Sequence, residues 1–132
     1  MTRSVDSGRG RDYLAKAENS LRMARIAVRE QAYDNAVMSA VHSAINALDA
    51  LAVSYLGRRA SGLHTDVLAL VKGSFSTAEY QEMRRQFTSL LSMKNASEYQ
   101  PDPMDKVDAE NSVKWAERIV GKVKEKLKDL EK

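Results

Sequence analysis

An arginine and a histidine lie close together in the middle of the chain, at a spacing that could serve RNA cleavage. Arg59 and His64 are separated by four residues, and a second arginine, Arg58, precedes them. A histidine with a pKa near neutrality can move the proton of a ribose 2′-hydroxyl, while an arginine stabilises the charge of the phosphorane. The spacing therefore favours either a metal-independent ribonuclease site at Arg59 and His64 or a structural histidine packed over the loop of residues 58–62.

Three polar residues, His42, Asn46 and Asp49, interrupt an otherwise apolar segment of the sequence. Steps of four and three residues place them in one line along a helix. Because a buried polar group without a partner costs about 1–3 kcal/mol, these side chains need hydrogen-bond partners or contact with solvent. The line therefore indicates a hydrogen-bond ladder between helices, a polar groove that binds a ligand, or a strip that faces solvent.

Other kinds of site find little support in the composition. The chain has no cysteine and only two histidines, which excludes disulfides and thiolate metal sites and argues against a zinc enzyme. It also has no phosphate-binding glycine loop, no Gly-x-Ser-x-Gly nucleophile motif and no carboxylate cluster with metal-ligand spacing. We therefore expect neither a metal ion nor a cofactor.

The polar line lies on the segment from Tyr33 to Gly57, around which we expect the fold to be organised. This segment contains no proline, and no glycine before Gly57, a residue type that commonly ends a helix. Apolar residues recur along it at steps of three and four and cover most of the helix circumference. They are Ala36, Val37, Ala40, Val41, Ala44, Ile45, Leu48, Leu51, Ala52 and Tyr55. We predict a central helix that neighbouring helices bury on most sides.

Four further amphipathic segments flank this helix, and no part of the chain shows a strand pattern or an internal repeat. Their predicted bounds are Asp12–Glu30, Leu63–Lys72, Thr77–Met93 and, with Asp105 as its cap, a last helix to Leu130. Ser76 and Glu79 form a capping box, and two prolines force an extended link before the last helix. The chain is thus predicted to be all-α, an antiparallel up-down bundle of four to five helices.

The net charge of +3 is concentrated at the two ends of the chain. Residues 1–11 and residues 122–132 each carry +2, whereas residues 12–121 carry 13 basic and 14 acidic side chains, a net −1. Both ends are interpreted as solvated segments, with phosphate binding as the alternative. We expect residues 1–11 to be a disordered tail and residues 12–132 to form one helical domain.

The sequence shows neither a membrane span nor a signal peptide. No stretch reaches roughly 18 continuous apolar residues, and no apolar segment follows the basic N-terminal residues. The lack of cysteine fits a reducing compartment. We expect a cytoplasmic protein without membrane contact.

The order of these segments resembles the HEPN superfamily of small α-helical domains (higher eukaryotes and prokaryotes nucleotide-binding). The resemblance covers residues 12 to about 127 and depends on HSAINALDA in the central helix, SGLH after it, and KNASEYQPD after the fourth helix. It is greatest for the stand-alone prokaryotic type. It implies an antiparallel helical bundle that pairs into a homodimer, with a groove at the axis of the pair.

The resemblance also implies functions. Many members are ribonucleases, or toxins partnered by minimal nucleotidyltransferases, and use an Arg-x(4–6)-His motif around the fourth helix. Here Arg59 and His64 have that spacing but lie between the second and third helices. Lys94 is implied to contact phosphate and Tyr99 to stack on a base. The implied groove residues are His42, Asn46, Asp49, His64, Lys94 and Tyr99.

Three functions are therefore compared. The first is a HEPN-type domain that binds a nucleotide or RNA with little or no catalysis, as a toxin–antitoxin component with a nucleotidyltransferase antitoxin as its partner. The second is a metal-independent ribonuclease that uses Arg59 and His64, with His42 as a second imidazole. The third is a dimeric protein-interaction module without a ligand.

Overall fold

The computed structural model describes residues 2–60 and 64–131, which form five helices and a short two-stranded ribbon. A 3-10 turn, Ser7–Arg9, precedes the first helix, and a second, Lys72–Ser74, follows the third. The elements in chain order are β1 (Thr2–Ser4), α1 (Gly10–Arg29), α2 (Tyr33–Leu56), β2 (Arg58–Ala60), α3 (Asp66–Val71), α4 (Thr77–Tyr99) and α5 (Lys106–Glu131). The predicted all-α bundle is confirmed, with the ribbon as an addition.

Helix α2 is the core of the bundle, as its apolar pattern predicts. Thirteen of its 24 residues are buried, among them Leu48 and Leu51 with no exposed surface. Its small side chains let α1 approach closely, and the Ser43 hydroxyl donates a hydrogen bond of 2.7 Å to the Ala17 carbonyl. By length and composition alone α2 could cross a membrane, but 72% of its most apolar 18-residue stretch is buried inside the bundle, as in the core helix of a globular protein.

The long helices α1, α2, α4 and α5 alternate in direction along the chain. The start of α2 meets the end of α4, where the Ser97 hydroxyl donates to the Asp34 carboxylate at 2.7 Å. The start of α4 meets the end of α5, where Lys126 donates to the Glu79 carboxylate at 2.9 Å. These contacts confirm the up-down arrangement that the short connections predict.

Three helix ends follow from local sequence alone. Gly57 caps the end of α2 in the left-handed conformation, with φ of 64°. Ser76 and Glu79 form the predicted capping box, with hydrogen bonds of 3.2 Å and 2.9 Å. Asp105 accepts a 2.8 Å hydrogen bond from the Asp108 amide in the first turn of α5.

Residues 2–11 form strand β1, a 3-10 turn and the start of α1, whereas the sequence predicts a disordered tail over residues 1–11 and no strand. Strand β1 pairs antiparallel with β2, and the Val5 amide donates a 2.7 Å hydrogen bond to the Gly57 carbonyl. Gly10 lies against α2, so closely that a Cβ there would be 1.9 Å from the Ser54 hydroxyl. The paired residues nearest in sequence, Ser4 and Arg58, are 54 positions apart, so no local pattern could predict this pairing.

Two helices differ from their predicted bounds. Helix α4 continues to Tyr99 rather than Met93, because Lys94 and Glu98 form an ion pair one turn apart, at 3.1 Å. Helix α3 runs only from Asp66 to Val71. Its predicted start at Leu63, after residues 61–62, lies outside the described residues.

The basic C-terminal end is docked on the bundle. Lys122 and Lys126 form ion pairs with Glu79 at 3.3 Å and 2.9 Å, and Lys124 approaches Glu18 at 3.8 Å. The positive charge that the sequence places in a solvated C-terminal segment is thus largely neutralised by side chains of α4 and α1.

Candidate functional site

One face of α2 is left partly open by its neighbours, and the predicted polar line lies there. His42 is exposed, Asn46 is half-buried and Asp49 is buried with 4% exposure. The Asn46 amide donates to the His42 carbonyl of its own helix at 2.9 Å. Among the described residues the three side chains do not form a ladder to another helix; each lies in a different environment.

His64 lies in the turn before α3, near charged residues of two other helices. Burial lowers the pKa of His64 below its usual 6.5, and the positive charges of Lys94 and His42 lower it further, while Glu98 acts in the opposite direction. His42, Lys94 and Glu98 therefore lie within electrostatic reach of His64, which is about 10 Å near a protein surface at moderate salt. The fold therefore brings together four residues from α2, α4 and the turn before α3.

Lys94 is held in place by its position on α4. It lies one turn beyond Leu90 and two turns beyond Phe87, both fully buried, so its stem follows the inner face of the helix. Its ammonium group pairs with Glu98, and the side chain retains 20% of its exposure. A cation that is pre-positioned and still partly accessible is suited to contact an anionic ligand.

Asp49 and Arg59 form a separate pair beside this group. An Arg59 guanidinium nitrogen lies 4.0 Å from the Asp49 carboxylate, and the guanidinium lies 5.6 Å from the centre of the Tyr13 ring. Burial raises the pKa of Asp49 to about 6, and the charge of Arg59 offsets only part of that effect. The Arg59 Nε is buried without a hydrogen-bond partner.

The structure gives the two predicted catalytic residues different neighbours. Arg59 contacts Asp49 and Tyr13, whereas His64 is influenced by Lys94, His42 and Glu98. A shared ribonuclease site at Arg59 and His64 therefore stays a prediction, and it would require Arg59 to leave its present partners. The residues between β2 and His64 lie outside the described part of the chain.

Tyr99 is prominent but is not beside Lys94. Its ring is 80% exposed, at the last residue of α4. Tyr99 is five positions after Lys94, which places the two side chains about 140° apart around the helix axis. Its stacking role stays a prediction, and the extended α4 turns it away from the charged group.

The comparisons with known proteins identify the family and the fold. A family model described as HEPN domain matches residues 11–126. The chain belongs to the HEPN domain family. The fold is also similar to the crystal structure of TT1696 from Thermus thermophilus, with a TM-score of 0.72 and 21% sequence identity, over 89% of this chain and 98% of that chain. No curated protein matches the sequence.

The sequence alone misses two parts of this HEPN domain's candidate site. Glu98 is detectable as the i+4 partner of Lys94, but only if α4 is extended past Met93. The contact of Arg59 with Tyr13 depends on the ribbon and has no local signal. In the described residues no group of three or more histidine, aspartate or glutamate side chains is arranged to hold a metal ion.

A groove of about 640 Å³ lies elsewhere on the HEPN domain, between α4 and α5. Met83 and Ile119 line its apolar part. Its charged residues include Glu79, Lys122 and Glu125, which already pair with one another at 3.0–3.3 Å. Acids outnumber basic side chains along the groove, so it suits an anionic ligand less than the group around His64 does. They are Glu79, Glu82 and Glu125 against Arg118 and Lys122.

Proposed function

We propose that this HEPN-domain protein binds the phosphate of a nucleotide or of RNA through His42, His64 and Lys94. The observation that supports this most directly is the effect of Lys94 and His42 on the pKa of His64. Three side chains that can carry positive charge lie close together, and Glu98 is the acid that acts on His64 among them. A phosphate there would be attracted by Lys94 and would favour the protonated form of His64.

Binding without catalysis is the form of this function that the contacts support best. A ribonuclease needs an arginine free to stabilise the phosphorane, but Arg59 is engaged by Asp49 and Tyr13. Incubation with RNA in the presence of EDTA should therefore leave the RNA intact. Cleavage that disappears in His64→Ala would instead establish the ribonuclease function.

The proposed partners follow from the same open face of α2. His42 is exposed on an otherwise largely buried helix, so this face can line a groove that a second copy of the chain shares. We propose a homodimer through this face, to be measured by light scattering after size exclusion. We also propose a nucleotidyltransferase antitoxin as partner, to be tested by co-purification with one encoded beside this protein.

Thermal shift with nucleotides and short RNAs tests the binding directly. A ligand that binds the folded protein raises its unfolding midpoint, and Lys94→Ala should abolish that rise. Lys114→Ala is the matched control, because Lys114 is an exposed lysine of α5. Glu98→Ala should have the opposite effect and increase the shift, since it removes a negative charge beside the ligand. No shift with any nucleotide or RNA would refute the proposed function.

A further inference from the structure

The ribbon and the start of α1 carry an excess of positive charge. Around the ribbon and the start of α1 lie six basic and three acidic side chains, a net +3, which equals the net charge of the chain. These side chains are Arg3, Arg9, Arg11, Lys16, Arg58, Arg59, Asp6, Asp12 and Asp49. The remaining charges therefore cancel, and in the C-terminal helix they do so through ion pairs.

Part of this charge is neutralised by contacts within the chain. Arg9 pairs with Asp12, and Arg59 pairs with Asp49. The Asp6 carboxylate accepts a 2.9 Å hydrogen bond from the Gly8 amide. The described contacts contain no ion pair for Arg3 or Lys16, so these cations remain available to a ligand.

Lys16 lies beside the ring of Tyr13, and Arg3 lies across the ribbon from Arg59, which contacts the same ring. The Lys16 ammonium is 5.7 Å from the centre of that ring, and the Arg59 guanidinium is 5.6 Å from it. Arg3 is the cross-strand partner of Arg59, so both side chains project from the same face of the ribbon. Like charges at paired positions destabilise a ribbon. In the described contacts Asp49 pairs with Arg59, and no acid pairs with Arg3.

This cluster continues the open face of α2. Asp49, which holds Arg59, lies two helical turns beyond His42 on the same side of α2, a distance of about 10 Å along the axis. One phosphate cannot contact both groups of cations. A strand with several phosphates can, with one phosphate at His42 and His64 and another beside Tyr13.

We propose that Arg3, on the ribbon, and Lys16, beside Tyr13, form a second phosphate-contact surface, and that the ligand of this protein is a phosphodiester strand that spans both surfaces. This inference deepens the proposed function and depends on it. It identifies the ligand as an oligonucleotide rather than a mononucleotide. It also gives strand β1 a role, because the strand places Arg3 directly across from Arg59.

The test compares two double variants of the full-length chain that lose the same charge at the same end of the molecule. Arg3→Gln with Lys16→Gln removes the proposed contacts. Arg11→Gln with Arg58→Gln is the control, because Arg58 projects from the opposite face of the ribbon. Binding of fluorescein-labelled oligo(U) of about eight nucleotides is measured by anisotropy between roughly 50 and 200 mM salt, and UMP binding by thermal shift.

The expected result is a weaker dependence of affinity on salt in Arg3→Gln/Lys16→Gln but not in the control variant. Each phosphate contact on a single strand contributes about 0.7 to the slope of log affinity against log salt, so two lost contacts reduce the slope by about 1.4. Between about 50 and 200 mM salt the wild type should then lose about sevenfold more affinity than Arg3→Gln/Lys16→Gln. UMP binding should be equal in all three proteins.

Other outcomes separate the inference from the function on which it depends. Equal slopes in the two double variants would overturn the second surface, because the effect would then be one of general charge. UMP binding that needs Lys94, together with oligo(U) binding no tighter than UMP, would overturn the inference and leave the proposed function intact. Failure of the wild type to bind either probe would overturn both. Circular dichroism melts of each variant verify that the fold is retained.

Discussion

The substitution Asp49→Asn tests whether burial or ion pairing governs the pKa of Asp49, the one buried carboxylate of α2 that the structure describes. Asp49 is 4% exposed, and its pKa is raised from 3.8 to about 6 because burial outweighs the charge of Arg59. A native pKa above the unfolded value means that the native state binds the proton more tightly. The stability that this proton provides is therefore present below about pH 3.8 and is lost as the pH rises through 6.

The magnitude follows from the two pKa values. A difference of about two pKa units corresponds to about 3 kcal/mol in total, of which about 2 kcal/mol develops between about pH 4.5 and pH 8. Asparagine carries no charge at either pH and so avoids this loss. Arg59 would lose its partner, but its side chain is 38% exposed and can be hydrated, so the cost on that side is small.

Urea unfolding of both proteins, followed by circular dichroism at four pH values from about 4.5 to 8, measures the effect. The free energy of unfolding of Asp49→Asn should rise relative to the wild type by about 2 kcal/mol over that range. Asp102→Asn, in the exposed link between α4 and α5, should show no such trend. A difference that stays constant, or that falls with pH, would refute the reasoning and show that the pair with Arg59 dominates.

Three further predictions follow from the same contacts. Glu79→Gln should lower the midpoint of thermal unfolding at neutral pH, because the cap amide and two lysines of α5 lower the pKa of Glu79 to about 2. The stability that the ionised Glu79 provides is present above about pH 4.5 and is lost as the pH falls through 2. Thermal melts of the variant and the wild type near that lower limit should therefore nearly coincide. Gly10→Ala should destabilise the protein by about 1–3 kcal/mol in urea unfolding, since its Cβ would collide with the Ser54 hydroxyl. Gly121→Ala should instead stabilise it by about 0.5–1 kcal/mol, because a Cβ at that helical position has no atom within 4 Å. Equal effects of the two glycine changes would contradict the steric argument. Affinity for UMP or oligo(U) should increase from about pH 8 to about pH 6, because a histidine whose pKa is lowered is neutral at the higher pH and gains a proton when phosphate binds. His64→Gln should flatten this dependence of affinity on pH. A flat dependence in the wild type would contradict the proposed site.

The sequence predicts the features of this fold that depend on neighbours within one or two turns. The apolar pattern from Ala36 to Leu51 is long enough to specify a buried helix, and the Ser76–Glu79 box is a contact between residues three apart. The ribbon could not be predicted, because its two strands have three residues each and meet only after α1 and α2 have packed. The same applies to Gly10, whose importance lies in how closely α1 approaches α2.

The candidate site is predictable in its residue types but not in their environments. His42, Asn46 and Asp49 do share a face of α2, as their spacing indicates. Whether that face is open or covered depends on β2 and on the turn before α3, so a buried Asp49 and an exposed His42 could not be told apart beforehand. The direction of Tyr99 relative to Lys94 likewise depends on how far α4 continues, which its sequence pattern leaves open.

The ribbon has a consequence for the order in which the molecule assembles. By joining residues 2–4 to residues 58–60, the ribbon closes a loop that contains the whole α1–α2 hairpin. The entropic cost of closing so long a loop is low only after the hairpin has formed and brought the two strands together. Three-residue strands add little to hold it shut, so it should open locally while the helices stay folded. The Val5 amide, which bonds to the Gly57 carbonyl, should then exchange its hydrogen with solvent far sooner than the amides of α2. Each such opening would also release Arg59 from Tyr13 and expose Asp49. We therefore expect a transient open state in which the ribbon is unpaired while the helical core stays folded.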